Sequence, residues 1–352
     1  MNNLARRVLA VMLLGVLIYG ALVLYRDTHA IADVLARYAW STFGIACALA
    51  FGNYLLRFLK WEYYLARLDI RGIPKFDSLL VFLSGFVLTV TPGKVGEVFK
   101  SLILFQLKKV PIERTAPIVI AERVTDLIGI ITIITIGSSS FAGGLIWAGF
   151  GAATVVALLV FIAFPAVSTP FVRLLPRFPG PIGRIGQRLA PKIEEALGGL
   201  RTIVAPAQLV WPTLLSIVAW SLEGIGLWVI LQGFGQVSAL ARTMFFYSTA
   251  TLAGALVPVP GGLGVTEKLL EEQMARLGGV PAATATASMI LIRFATLWFA
   301  VAVGFAALGL LRGRYGRAVL GGEPTPPREL DVDSAQPPAP ASATANGDSE
   351  AS

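Results

Sequence analysis

The residues best suited to chemistry in this sequence are charged side chains that interrupt long apolar stretches. A charge at the centre of a bilayer costs about 2.5–3.5 kcal/mol, so a membrane helix keeps one only where it has a partner or a task. An arginine guanidinium can bind a phosphate through two parallel hydrogen bonds, whereas a carboxylate neutralises a neighbouring cation. These charges therefore predict either a binding site for an anionic group or a set of buried ion pairs. They are Glu122, Arg123, Asp126, Glu223 and Arg293.

The two interpretations differ in the partner that each charge takes. Glu122 and Asp126 are four residues apart and share one face of a helix, so these two acids could simply neutralise Arg123. No acid lies within a helical turn of Arg293, and its partner must come from another helix or from a ligand. We expect both arginines to act in substrate binding or gating. The acids that could pair with Arg293 are Glu97, Glu223 and Glu267.

The amino-acid composition places these charges in a membrane protein. Of the 352 residues, 55% are hydrophobic and 14% are charged, and the mean hydropathy is +0.73, whereas soluble proteins carry about 25% charged residues. A soluble enzyme, a disordered regulator and a disulfide-rich secreted scaffold are thereby excluded. The one cysteine, Cys47, cannot form an internal disulfide, and the one histidine, His29, leaves little for metal binding or histidine-based catalysis. We expect no metal site, no cofactor and no enzymatic activity, because the sequence also lacks phosphate-binding loops and nucleophile motifs.

Apolar stretches predict six membrane-spanning helices, since about 20 helical residues cross the hydrocarbon core. The segment 313–352 has too few large apolar residues to fold, and we expect it to be a disordered cytoplasmic tail. The predicted fold class is an all-α polytopic membrane protein with one transmembrane domain over residues 1–312. The spans lie near residues 8–25, 39–60, 116–136, 145–169, 207–232 and 281–310.

Two further apolar stretches, near 77–109 and 243–277, are interrupted by proline and glycine. Proline removes a backbone donor and glycine favours a bend, so each stretch is predicted to form a re-entrant helical hairpin. We expect the glycines to permit a close approach of backbones. The break residues are Pro92, Gly93 and Gly96 in the first hairpin and Pro260, Gly261 and Gly264 in the second.

A helix that begins after each break directs free backbone N–H groups at that break. Such an end attracts either a ligand anion or a capping acid of its own. Glu97 and Glu267 lie in the first helical turn after the breaks and are placed to cap. Lys94 lies in the first break, where the second break has Gly262, so the two breaks differ in charge.

The two hairpins belong to a predicted internal repeat with units near 39–136 and 207–310. Pro-Gly-x-x-Gly occurs in both breaks, and an arginine follows a helix-starting proline by 12 residues in each half, at Arg123 and at Arg293. Three predicted crossings separate the hairpins. The units would therefore enter the membrane from opposite sides, which is the inverted-repeat architecture of many secondary transporters.

The distribution of basic residues orients the chain. With the N-terminus inside, eighteen lysines and arginines fall on cytoplasmic segments, Lys60 among them. The net charge of +8 divides into −5 from residue 321 onward, where six acids face one arginine, and +13 for the rest. Because cytoplasmic loops carry the excess of positive charge, both termini are predicted to be cytoplasmic, and no nucleic acid partner is needed. The basic residues on outer segments are Arg26, Arg37, Arg242 and Arg276.

The motifs TPGKVGEVFKS, ERVTDLIGI and PVPGGLGVTE occur in this order. They resemble the transmembrane region of the lysylphosphatidylglycerol synthase/flippase family, which includes the flippase half of the bacterial multiple peptide resistance factor. The resemblance covers about residues 10–312. It implies a lipid transporter in the inner membrane of a bacterium. Such a protein moves an anionic or phosphate-linked lipid, with aminoacylated and glycosylated lipids included, between bilayer leaflets. The resemblance does not extend to the soluble aminoacyl-transferase domain of the full-length synthase, so we do not expect lysyl transfer.

A second interpretation is a non-catalytic accessory protein of a lipid-modification or hopanoid pathway. A transporter would move lipid on its own, whereas an accessory protein would act only through its enzyme. The candidate partners are membrane lipids with an anionic or phosphate-linked headgroup, a lipid-modifying enzyme, and further copies of the same chain.

Overall fold

The computed structural model describes residues 28–90, 96–141, 144–177, 206–257 and 259–316, with four isolated positions besides. Throughout these residues the chain is helical and has no strand, so the prediction of an all-α membrane protein is confirmed. The first predicted span and residues 321–352 lie outside the described residues. The helices, in chain order, are α1 (Thr28–Ala36), α2 (Trp40–Arg67), α3 (Lys75–Ser84), α4 (Gly96–Lys108), α5 (Ile112–Ser138), α6 (Gly144–Ala163), α7 (Pro165–Leu174), α8 (Pro206–Gly233), α9 (Leu240–Leu256), α10 (Val265–Arg276), α11 (Ala282–Arg293) and α12 (Phe299–Tyr315).

Three of the described helical segments are long and apolar enough to cross a membrane. They are Trp40–Arg67, Gln208–Gly233 and Ala282–Tyr315, the last of which joins α11 to α12 through a π-helical turn at Phe294–Trp298. Helix α5 is nearly as long as α2, but its buried charges lower its hydropathy, and α6 is a 20-residue helix without a charged residue. The chain is a polytopic membrane protein.

Two predicted boundaries are wrong, and each has a physical reason. Helix α2 does not end at Lys60 but continues to Arg67, because Lys60 is fully buried and its ammonium donates to Asp126 inside the bundle. Lys60 is therefore not a cytoplasmic flanking charge. The orientation then rests on seventeen basic residues on cytoplasmic segments against four on outer segments. Helix α12 runs to Tyr315, into the segment predicted to be disordered, because the Tyr315 hydroxyl donates to Asp77 at 2.6 Å.

Each predicted hairpin consists of two short helical arms that pack against each other. The first comprises α3, its 3-10 extension Gly85–Leu88, and α4; the second comprises α9 and α10. The arms have 17 residues or fewer. At 1.5 Å per residue they are too short to cross about 30 Å of hydrocarbon, so arms of this length suit a hairpin that returns to its own side.

The two hairpins enter the bundle from opposite ends. At one end the start of α2 meets the end of α8, where the Ala39 N–H donates to the Gly233 carbonyl at 3.1 Å. Helix α9 begins at this end, a few residues after α8. At the other end α3 begins beside the end of α12, where Tyr315 donates to Asp77. This arrangement is the one that an inverted repeat requires.

Each hairpin packs on the long helix that closes the other half. The extension of α3 packs on α12 at Gly304, where a Cβ would lie 2.6 Å from the Val87 nitrogen. Helix α9 packs on α5 at Gly137, where a Cβ would lie 2.7 Å from the Phe245 Cβ. Both contacts therefore require glycine. The halves thus share an element order and exchange equivalent contacts, which favours the predicted repeat.

Candidate functional site

A cavity of about 280 Å³ lies between the halves, where the end of the first arm of the first hairpin approaches the second hairpin break. Its described lining includes Thr89, just before the first break, and Gly261 and Gly262 in the second. Val90 is fully buried, and a Cβ on Gly261 would lie 3.6 Å from its Cα. Helices α2, α5, α8, α9, α10, α11 and α12 also contribute lining residues, so the cavity is built from both halves of the chain.

Four charged side chains line this cavity among the described residues. They are Arg57, Arg123, Glu223 and Arg293. Three of them were predicted from the sequence as site residues, whereas Arg57 was missed although it lies inside the span predicted near residues 39–60. The signal that could have identified it was a cation within an otherwise apolar helix. The described lining thus carries more positive than negative charge, which favours an anion over a cation electrostatically.

Asp126 binds a group of cations beside the cavity. It is not among the described residues that line the cavity. Its Oδ1 accepts hydrogen bonds from Lys60 Nζ at 2.7 Å and from the Ser216 hydroxyl at 2.9 Å. Its Oδ2 accepts one from Arg123 at 3.0 Å and lies 3.9 Å from the Arg57 guanidinium. Asp126 is thus placed to position Arg57 and Arg123 in the cavity. The acid that pairs with Arg123 lies on the same helix as Arg123, α5.

Glu122 belongs to a separate buried pair. Lys100, on the second arm of the first hairpin, donates to the Glu122 carboxylate, and both side chains are buried. The Lys100 ammonium also lies 4.7 Å from the ring centre of Trp61. Of the two acids expected beside Arg123, Asp126 binds it, while Glu122 anchors the first hairpin to α5. Glu122 is not among the described residues that line the cavity.

Arg293 binds two residues at the second hairpin break. Its Nε donates to Glu267 Oε1 at 2.6 Å, and its terminal nitrogen donates to the Gly261 carbonyl at 2.8 Å. The other oxygen of Glu267 accepts the Gly264 N–H at 2.7 Å. Of the three candidate acids, Glu267 is therefore the partner of Arg293. The same carboxylate also caps α10, so capping and pairing are not alternatives here.

Glycines in and beside the second break are required for two different reasons. Gly261, Gly262 and Gly264 have φ values of 60°, 69° and 85°, which side chains with a Cβ rarely adopt. The close approach that we expected occurs at Gly254 on α9, where a Cβ would lie 2.0 Å from the Thr266 hydroxyl. At Gly264 a Cβ would meet nothing within 4 Å. The prediction of a close approach at Gly264 is therefore wrong, and that position needs glycine for its backbone conformation.

Glu223 faces the cavity from α8 and is paired with a hydroxyl. The Tyr247 phenol, on α9, donates to the Glu223 carboxylate, and both residues line the cavity. On the opposite wall the Tyr54 hydroxyl donates to the carbonyl of Thr296 in the π-helical turn at 3.0 Å. Glu223 thus lines the cavity, with Tyr247 as a hydrogen-bond donor that the sequence did not reveal.

Most residues of the first break lie outside the described residues. Pro92, Gly93 and Lys94 lie outside the described residues, as does the side chain of Glu97. Gly96 begins α4, and in the second break Pro260 begins the 3-10 turn. Glu97 lies 14 residues before Pro111, and Glu267 lies 14 residues before Pro281, so the two acids hold equivalent positions in the chain.

Comparison with known proteins identifies the family. The family model described as the lysylphosphatidylglycerol synthase TM region matches residues 12–304, which include every described residue of the cavity. The chain belongs to this family. A relative in Methanothermobacter thermautotrophicus, named UPF0104 membrane protein, is 24% identical over 314 residues, which cover 84% of this chain and 93% of the relative. A second match of the same name and organism is 27% identical over 121 residues, or 34% of this chain and 35% of the relative. The resemblance inferred from the three motifs is confirmed.

Proposed function

We propose that the protein is a flippase that moves a lipid with an anionic or phosphate-linked headgroup between the leaflets of its membrane. Aminoacylated and glycosylated lipids of this kind are included. The observation that carries the proposal is the central cavity, which three arginines line where two hairpins from opposite ends meet. A headgroup needs a polar passage of this kind, because the hydrocarbon core excludes charge. The family description, which names a lipid synthase, supports a lipid substrate.

The charge and exposure of the arginines support phosphate binding. Their planar forks can each give two hydrogen bonds to a phosphate, and the lining that is described carries three positive charges against one negative. The Arg123 side chain is 31% exposed, compared with 15% for Arg57 and 9% for Arg293. Arg123 is therefore the arginine that an entering phosphate reaches first, and Arg57 lies within the same Asp126 cluster.

The helix arrangement supports alternating access to the cavity. Broken helices that meet between two halves are the common substrate-binding device of secondary transporters. The first hairpin begins at one end of the bundle and the second begins at the other, so displacement of one arm would open the cavity toward one side. We propose in addition that both termini face the cytoplasm of a bacterium, as the basic residues predict.

Reconstitution of the purified protein tests the proposal. Liposomes would carry phosphatidylglycerol with a fluorescent acyl chain, and dithionite would bleach the label in the outer leaflet. We expect the protein to carry labelled lipid outward, so that bleaching proceeds to completion faster than in protein-free liposomes. Chromatography of lipid recovered from a sample without dithionite should show it chemically unchanged, since we propose no enzymatic step.

The matched controls are Arg123→Ala in the cavity and Arg276→Ala on the surface, where that side chain is 77% exposed. The first should slow lipid movement and the second should not. Lipid movement no faster than in protein-free liposomes would contradict the proposal. That outcome would favour the accessory role, in which the protein acts through a lipid-modifying enzyme.

A further inference from the structure

Equivalent positions of the two halves present opposite charges to the cavity. Helices α2 and α8 both have 28 residues and pack along each other. Tyr54 and Trp220 each lie 14 residues after the first residue of their helix, and Arg57 and Glu223 each lie 17 residues after it. All four line the cavity. The second half therefore places an acid where the first half places a cation.

An acid in the wall of an anion site works against binding unless its charge can be removed. Glu122, Asp126 and Glu267 are not among the described lining residues. Glu223 does line the cavity, so water and an entering headgroup can reach its carboxylate. Its hydrogen bond from Tyr247 comes from a neutral hydroxyl, which can donate to the carboxylate and to the carboxylic acid alike.

We propose that Glu223 is a proton-binding site whose protonation accompanies binding of the lipid headgroup. The inference rests on the proposed function, because it requires an anionic headgroup in the cavity. A headgroup anion beside ionised Glu223 is repelled, and the repulsion is stronger than in water because the surroundings have a low dielectric constant. A proton taken from water and bonded to a carboxylate oxygen removes that negative charge. The headgroup and the proton therefore bind together, and each raises the affinity for the other by the same factor.

The groups around Glu223 explain why protonation should follow occupancy. In the empty cavity the arginines of α2, α5 and α11 stabilise the ionised carboxylate. When a phosphate binds these arginines, their effect on Glu223 is offset, and its affinity for a proton rises. Lys60 forms an ion pair with Asp126, the carboxylate that also binds Arg123. The charged and titratable groups that face Glu223 from the elements packed against α8 are Tyr54, Arg57, Arg123, Tyr247 and Arg293.

Binding of fluorescent phosphatidylglycerol to the full chain in nanodiscs tests the inference, over the pH range in which that lipid stays ionised. We expect the affinity of the unmodified protein to rise as the pH falls, by up to about tenfold per pH unit, as linkage to a single proton requires. Glu223→Gln keeps the shape of the side chain and an oxygen for Tyr247, and it should bind without this slope. Glu272→Gln, at a surface glutamate that pairs with Arg276, should keep the slope.

Proton uptake by the unmodified protein provides a second measurement. It requires no variant and therefore does not depend on whether a variant folds. In weak buffer, binding of phosphatidylglycerol should remove up to one proton per lipid from solution. Binding without proton uptake, or a slope that survives in Glu223→Gln, overturns the proton site while leaving the flippase proposal standing. If the unmodified protein neither binds nor moves phosphatidylglycerol at any pH, the proposed function itself is contradicted.

Discussion

At the scale of single residues, two arginines at equivalent places in the repeat are held differently. Arg293 uses two nitrogens to hold Glu267 and the Gly261 carbonyl, and its side chain is 9% exposed. Arg123 binds Asp126 on its own helix and is 31% exposed. The repeat alone predicts equal roles for the two arginines, whereas their contacts predict that Arg123 meets the ligand and that Arg293 also holds the hairpin closed.

Lysine substitutions separate these roles, because one ammonium keeps the charge but cannot reproduce the fork. We expect Arg123→Lys to slow lipid movement about tenfold, equivalent to about 1.4 kcal/mol, with an unchanged melting temperature. Arg293→Lys should slow movement and also lower the melting temperature by several degrees, since one hydrogen bond to the break is lost. Dithionite bleaching at matched protein amounts and thermal unfolding are the measurements. Arg276→Lys is the control, and full activity in both cavity variants would remove these arginines from the site.

The Lys100–Glu122 pair provides a second prediction, because both side chains are buried and neither lines the described cavity. Lys100→Met leaves a buried carboxylate unpaired, and we expect it to destabilise the fold by about 3–5 kcal/mol. Adding Glu122→Leu should restore most of that stability and leave lipid movement near the unmodified rate. Thermal unfolding and bleaching of the single and double variants test this. A stable double variant that moves no lipid would contradict this prediction and would indicate that Glu122 is needed for lipid movement.

At the scale of elements, the second hairpin break depends on glycine in two ways that substitution can distinguish. Gly264→Ala forces a Cβ into an unfavourable φ without a clash, so we expect it to cost about 1–3 kcal/mol. Gly254→Ala creates a clash with the Thr266 hydroxyl, so adding Thr266→Ala should recover part of the lost activity. Gly309→Ala, in an open helical position of α12, is the control and should be neutral or slightly stabilising. Equal tolerance of all three single substitutions would contradict the described break.

At the scale of the whole molecule, the opposite entry of the hairpins and the basic residues predict which loops face out. In a background with Cys47→Ser, cysteines in place of Ser139 and Val237 should react with an impermeant maleimide on intact cells, since both positions are exposed. A cysteine in place of Asp69, which is exposed at the other end of α2, should react only after the membrane is opened. Reversed labelling at any of these positions would contradict the predicted orientation.

The sequence by itself determined the fold class and the family, and it selected three of the four charged side chains that line the cavity among the described residues. These are local properties: about 20 apolar residues form a membrane helix, a Pro-Gly cluster interrupts one, and a charge inside an apolar stretch is costly enough to mark a function. Arg123, Glu223 and Arg293 could be selected in this way because each interrupts such a stretch. The second hairpin break could be found from its prolines and glycines alone.

Only the tertiary structure decided which charge meets which. Lys60 binds Asp126, Lys100 binds Glu122 and Arg293 binds Glu267 across 66, 22 and 26 residues of chain. From the sequence, Lys60 has the position of a cytoplasmic flanking charge. Whether such a cation remains in water or enters the core depends on which acid another helix brings to within hydrogen-bonding distance. That is a property of packing, because the free energy of a buried charge depends on its partner and not on its spacing in the chain.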